Sequence, residues 1–373
     1  MNLMKLIALF FFFTVTNHFT QWNISLSTDN EYNDNPFNSI YAEKSFINSF
    51  QLGIENNINA ISLGYNLAYY NFVSIPDRNF LGHQFYLFGD FDLFNFGATV
   101  EKRIGKNLYS YYDYSNILLY LNNTSEFNGF YLSVTPNFTF TNYDQIEILN
   151  NYKLSLAYSL NRGFETNTTL IAGGSLNYKK YTNPSISGTY EYINENNDIV
   201  QETFYDQNIN SITQLLSYFR IAQSITESTG AAFQFTNRSI LGGIANDVKE
   251  LNLYYGDESE IFDDPVNYEG NGISLELTKV FDEAQLKAAY YINKKNYLSQ
   301  GIYKDALLYN TDINRADSQN ILSLSVSKDF YIDEREETSI SFKLGFTRIM
   351  NTSNSYLFNY KSNSISLSVG IEF

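Results

Sequence analysis

Along most of this chain, hydrophobic and polar positions alternate one by one. Ile61, Leu63, Tyr65, Leu67 and Tyr69 alternate with Ser62, Gly64, Asn66 and Ala68. Phe130, Leu132, Val134, Phe138 and Phe140 alternate with Tyr131, Ser133, Thr135, Asn137 and Thr139. Tyr152, Leu154, Leu156, Tyr158 and Leu160 face away from Lys153, Ser155, Ala157 and Ser159, and the same holds for Leu286, Ala288, Tyr290 and Ile292 against Lys287, Ala289, Tyr291 and Asn293. A period of two is that of a strand with one apolar face. No long stretch shows a period of 3.6, so helices are expected to be few and short. Sixteen strands are read in this way, the first at 22–32 and the last at 363–373. The strand read at 107–121 alternates poorly, and that region is where the count could fall to fourteen.

Two all-β folds fit such a pattern. A soluble sandwich buries its apolar faces. A closed antiparallel transmembrane β-barrel turns them to lipid and fills its interior with Ser, Thr, Asn, Gly and charges. Small polar partners dominate here, and aromatics gather near strand ends, as at Tyr69-Tyr70, Tyr111-Tyr112 and Tyr290-Tyr291. Both features favour the barrel. The last ten residues carry the sharpest signal: Ile365, Leu367, Val369, Ile371 and Phe373 alternate with Ser364, Ser366, Ser368, Gly370 and Glu372. This resembles the C-terminal strand of bacterial outer-membrane β-barrel proteins. The resemblance implies an outer-membrane location in a Gram-negative-type bacterium and a terminal aromatic read by the barrel-assembly machinery. It also implies contact with outer-membrane lipid and lipopolysaccharide. It extends to the porin-like class without naming a subfamily.

Connection lengths alternate as well. Asn57-Ile58, Leu93, Asn122 to Asn128, Gly163 to Glu165, and Asp282-Glu283 are short. The intervening connections 33–43, 141–150, 181–210, 239–270 and 299–318 are long. Outer-membrane barrels have short periplasmic turns and longer external loops. Ile104 to Lys106, the third long-side connection, is short and breaks the rule.

The N-terminus reads as an address. Leu6 to Val15 is an apolar run after Lys5, too short for a spanning helix and suited to the h-region of a signal peptide, so 1–21 is expected to be removed and 22–373 to form the barrel.

Composition narrows the chemistry. Lys and Arg total 24 against 40 Asp and Glu, a net charge of -16 that argues against nucleic-acid binding. Cysteine is absent and there are two histidines, so thiolate sites are excluded and a zinc centre is not expected. No cofactor motif is present. The alternation assigns Asp90, Glu101, Lys153, Arg220, Glu276, Lys287 and Lys343 to the inner face. A mixed ring of charge there sets ion or solute selectivity, or the same groups pair with one another to fill a narrow lumen. The acidic segment Glu250 to Asp264 is either a calcium contact or a solvated loop. His83 lies at a strand start, and no triad motif accompanies it, so no catalytic residue is expected. The expected function is a pore or transporter for small solutes. The competing reading is a surface-binding or exopolysaccharide-export-associated barrel without an open pore.

Overall fold

The computed structural model describes residues 22–182, 185–193, 199–208, 211–243, 267–281, 284–298, 300–306, 308–310, 312–332 and 338–373. Residues 1–21, the expected signal peptide, and the acidic segment Glu250 to Asp264 lie outside the described residues. The first strands are β1 (Trp22–Asn33), β2 (Ser45–Ile58), β3 (Ile61–Phe72), β4 (Phe80–Phe91), β5 (Phe94–Gly105), β6 (Tyr114–Phe127) and β7 (Phe130–Tyr143). There follow β8 (Asn151–Gly163), β9 (Thr168–Tyr181), β10 (Ser185–Ile193), β11 (Ile199–Asn208), β12 (Ile212–Thr226) and β13 (Thr229–Gly242). The last are β14 (Tyr268–Phe281), β15 (Ala284–Tyr297), β16 (Ile302–Tyr303), β17 (Tyr309–Asn310), β18 (Ala316–Tyr331), β19 (Ser339–Ser353) and β20 (Tyr360–Glu372). Sixteen of them close one antiparallel barrel. The pairs β10–β11 and β16–β17 are separate hairpins within two long connections. No α-helix occurs among the described residues.

The ring closes where β1 pairs with β20, and Ile24 and Phe373 exchange backbone hydrogen bonds of 2.7 and 3.0 Å there. Closure leaves no unpaired sheet edge, which a spanning β structure requires in hydrocarbon.

Cross-strand register carries the alternation around the barrel, with one-residue shifts at the two ends of the β12–β13 pair, at Thr213/Gln214 and Ser224/Thr226. Leu132 pairs with Leu160, Leu156 with Leu176, and Leu344 with Leu367, so apolar residues meet apolar residues. That face is the exposed one: Leu156 is 45% exposed and Leu367 46%. On the opposite face, side chains reach over an intervening strand. Arg220 on β12 bonds Glu276 on β14, and Tyr86 on β4 bonds Glu55 on β2. Side chains converge on the concave side of a curved sheet, so the polar face is the inner one.

The short-turn end is built tightly. Asn128 and Gly129 both have positive φ, 50° and 75°, as a two-residue hairpin turn of the mirror-image kind needs. The connection expected over Asn122 to Asn128 therefore shrinks to this Asn-Gly pair, and β6 runs on to Phe127. Exposed phenylalanines flank these turns on the outer face, among them Phe91, Phe94, Phe127, Phe281, Phe330 and Phe373. They form an aromatic belt at that end.

At the long-loop end, the expected three-residue connection Ile104 to Lys106 is corrected. A 3₁₀ turn over Asn107–Tyr112 follows Lys106, and β6 begins only at Tyr114. The poor alternation there reflects this turn, and the connection spans 106–113.

Candidate functional site: the inner wall

The inner face is the concave surface on which chemistry converges. By register, Asp90, Glu101, Lys153, Arg220, Glu276, Lys287 and Lys343 all have the parity of this face. Arg220 and Glu276 make two hydrogen bonds of 3.1 Å, and Lys287 Nζ lies 3.5 Å from the same carboxylate. Glu101 accepts a 2.6 Å hydrogen bond from Tyr114. Lys343 pairs with Ser327 and Ser368, and Ser368 donates to Asp29 one strand further on. Asp90 sits on the inner face beside the Asp92–Leu93 turn.

Inner charges that the alternation also carried, but that were not singled out, change the picture. Asp29 and Glu31 on β1 and Glu55 on β2 share the parity of the inner face. So do Lys179 on β9, Arg238 on β13 and Lys295 on β15. Taken together, the charges divide. From β1 to β5 the inner wall carries Asp29, Glu31, Glu55, Asp90 and Glu101, with Arg103 as a cation among them. From β8 to β15 it carries Lys153, Lys179, Arg220, Arg238, Lys287 and Lys295, with Glu276 as an anion among them. The expected mixed ring is therefore two walls of opposite sign facing across the barrel.

The walls also differ in bulk. On β4 and β6, Tyr86 stacks on Phe88 at 5.1 Å and Phe88 lies 6.3 Å from Tyr120. Gly64 and Gly97 sit under these rings, where a Cβ would fall 2.0 Å from Tyr86 and 2.2 Å from Tyr120. From β18 through β20 to β1 the inner face is instead a run of hydroxyls, including Ser323, Ser325, Ser366, Ser368, Ser25 and Ser27.

The long-loop end is held by two buried arginines. Arg78 lies over the rings of Phe37, Phe72 and Tyr109 at 4.3, 5.3 and 5.7 Å, which ties three successive connections together. Arg315 lies 4.2 Å from the Tyr297 ring and 3.3 Å from the Phe358 ring, and bonds Asp317 and Gln300. On the 106–113 connection, burial raises the Asp113 carboxyl above the usual carboxylate range, and the nearby Asp144 acts in the same direction.

His83 has the parity of the outer face, where its Nδ1 lies 2.7 Å from the hydroxyl of Tyr65. Among the described residues, no group of three or more His, Asp or Glu side chains could hold a metal ion.

No family model matches the chain, and no curated protein sequence matches it. Solved structures do. OccAB1 of Acinetobacter baumannii is 8% identical, aligns over 95% of this chain and 96% of its own length, and superposes with a TM-score of 0.52. OccAB3 of the same organism is 8% identical over 95% of this chain and 99% of its own, with a TM-score of 0.51. OccD3 of Pseudomonas aeruginosa is 8% identical over 94% and 91%, also at 0.51. With the closed ring and its apolar exterior, these superpositions show that the chain has the fold of bacterial outer-membrane β-barrel proteins.

Proposed function

We propose that this barrel is an outer-membrane pore that passes small polar solutes. The observation that carries the reading is the division of the inner wall into an acidic arc and a basic arc. A barrel serving only as a scaffold has no need of unlike arcs, whereas opposite fields across a lumen orient and sort solutes in transit. In this reading the leader at 1–21 exports the chain, and the strand from Ile365 to Phe373 presents it to the barrel-assembly machinery. The long connections face outward among lipopolysaccharide, and the short turns face the periplasm.

Purified protein in a planar bilayer is expected to give steady single-channel steps. Absence of steps from folded, heat-modifiable protein would refute the pore. The pinned connections around Arg78 and Arg315 favour the second reading, a closed barrel whose outer loops bind at the surface or serve exopolysaccharide export.

A further inference from the structure

A recess of about 430 Å³ opens in the inner wall between β2 and β6. Its floor is set by two small residues, Ala68 and Gly82, which pair across β3 and β4. Two residues along, on the long-loop side, the stacked rings of Tyr70 and Phe80 (centroids 4.4 Å apart) form an apolar ledge. Two residues along on the other side, Asn66 Nδ2 donates to Gln84 Oε1 at 3.1 Å. That single bond leaves an acceptor oxygen on Asn66 and donor hydrogens on Gln84. Gln51 closes one flank beside Ala68, and Arg103 closes the other beside Gly82. Glu101, held by Tyr114, completes the amide edge.

This lining has a specific chemistry. It offers donors and acceptors on one edge and, on the other, the aromatic carbon of Tyr70 stacked on Phe80, with the Arg103 guanidinium lying over the Phe80 ring at 4.3 Å. Its one carboxylate and one guanidinium offset each other, so the recess as a whole favours neither a cation nor an anion. Its volume lies in the range of about 300–1,000 Å³ found for small-molecule sites. A pyranose ring matches all three properties. Its hydroxyls satisfy amides and carboxylates, its C–H faces pack on aromatic rings, and it carries no charge.

We propose that this recess is a saccharide subsite on the lumen wall. The assignment deepens the pore reading, because it makes neutral sugars the solute class that dwells in transit. Gly82 supplies a clean test: a Cβ placed there meets only Ala68, at 3.8 Å, so Gly82→Leu fills the recess without displacing the strand backbone. Gln84→Met, close in size, removes the amide instead.

The probe is maltose, read in two ways. Saturation-transfer NMR on detergent-solubilised full-length barrel reports binding whether or not the pore conducts. Bilayer recordings report transient current block. Binding in the unaltered protein is expected, weakened at least about tenfold by Gln84→Met, the loss of one or two good hydrogen bonds, and by Gly82→Leu through occupation of the recess. Both variants should retain heat-modifiable mobility. Absence of saturation transfer to maltose overturns the subsite while single-channel steps keep the pore. Saturation transfer without conductance keeps the subsite and overturns the pore. Unchanged maltose binding in a folded Gly82→Leu barrel places the sugar elsewhere and overturns the assignment. Displacement of maltose by alanine at equal concentration marks the recess as an amino-acid site and also overturns it.

Discussion

Arg220 and Glu276 meet across an entire strand: two 3.1 Å hydrogen bonds join β12 to β14 above β13. The residue beneath the contact is Ala232, which pairs with Glu276 and leaves room for the guanidinium. Glu276 thereby supplies the negative charge of an otherwise basic arc, with Lys287 on its other side. Glu276→Gln should leave Arg220 and Lys287 uncompensated and make the arc more positive. The pair is partly exposed, at 26% and 15%, so the stability loss should be only about 1 kcal/mol. In a KCl gradient, the reversal potential should move toward anion preference. A variant with normal conductance and an unmoved reversal potential would show that the arcs do not govern permeation.

Barrel closure makes a prediction about assembly. Phe373 exchanges both backbone hydrogen bonds with Ile24, and Ile365, Leu367, Val369 and Ile371 pair with β1 on the apolar face. Deleting Phe373 should lower insertion into the outer membrane and leave export to the periplasm intact. Fractionation and heat-modifiable mobility read both. Normal amounts of folded barrel from the deleted chain would remove the terminal aromatic from the assembly signal.

The two faces of β8 differ in what they tolerate. Leu156 is on the outer face, and Ala157 next to it pairs with Thr135 and Ser175 on the inner one. Arg at Leu156 should cost about 2–4 kcal/mol by placing a charge in hydrocarbon, and Arg at Ala157 should cost much less. Since the chain lacks cysteine, single cysteines report the faces directly. A lipid-confined photoreactive probe should label Leu156→Cys and spare Ala157→Cys. Labelling of neither in a reconstituted bilayer would contradict the spanning barrel.

Asp113 gives a pH dependence with a defined sign. Its folded carboxyl titrates above the usual range because burial disfavours the charged form. The folded state therefore holds its proton longer than the unfolded one. The associated stability is complete at low pH and is lost as pH rises through the raised value. Asp113→Asn keeps an oxygen to accept the Gly105 N–H and cannot ionise. Hydrogen exchange over 106–113 should be slower in Asp113→Asn than in the unaltered protein at about pH 7, and equal at about pH 3, below the ordinary carboxylate range. Equal exchange at neutral pH would mean that ionisation carries no penalty there.

The barrel was legible because lipid imposes one rule on every strand, so Leu154 to Leu160 or Ile365 to Phe373 betray their outer face residue by residue. Irregular pieces were not. The tyrosines of 107–112 have strand-like composition, yet they form a 3₁₀ turn that parity alone could not separate from β6. Conversely, Asn128-Gly129 carried a strong turn signal inside a longer stretch read as a connection. The inner charges could be placed on a face but not matched to partners. The Arg220–Glu276 contact spans 56 residues of sequence and depends on the register of two strand pairs. The acidic and basic arcs could have been seen by ordering the inner charges along the chain. The recess at Ala68 and Gly82 could not, because it exists only once β3 and β4 lie side by side.

Among the described strands, every interface in the ring but one joins neighbours along the chain, and a separate hairpin is interposed at β9–β12 and at β15–β18. The exception is the seam between β1 and β20, where Ser368 and Asp29 come together from 339 positions apart. Local hairpins close at small entropic cost, and the seam must gather the whole chain. The geometry thus favours a curved sheet that zips up hairpin by hairpin and seals last. Until it seals, β1 and β20 each present a full row of unbonded amides and carbonyls, which hydrocarbon does not tolerate. The nascent sheet therefore has to be held with both edges wet or paired to another protein until the ends meet. The seam, more than any site on the walls, is the contact on which completion of the ring waits.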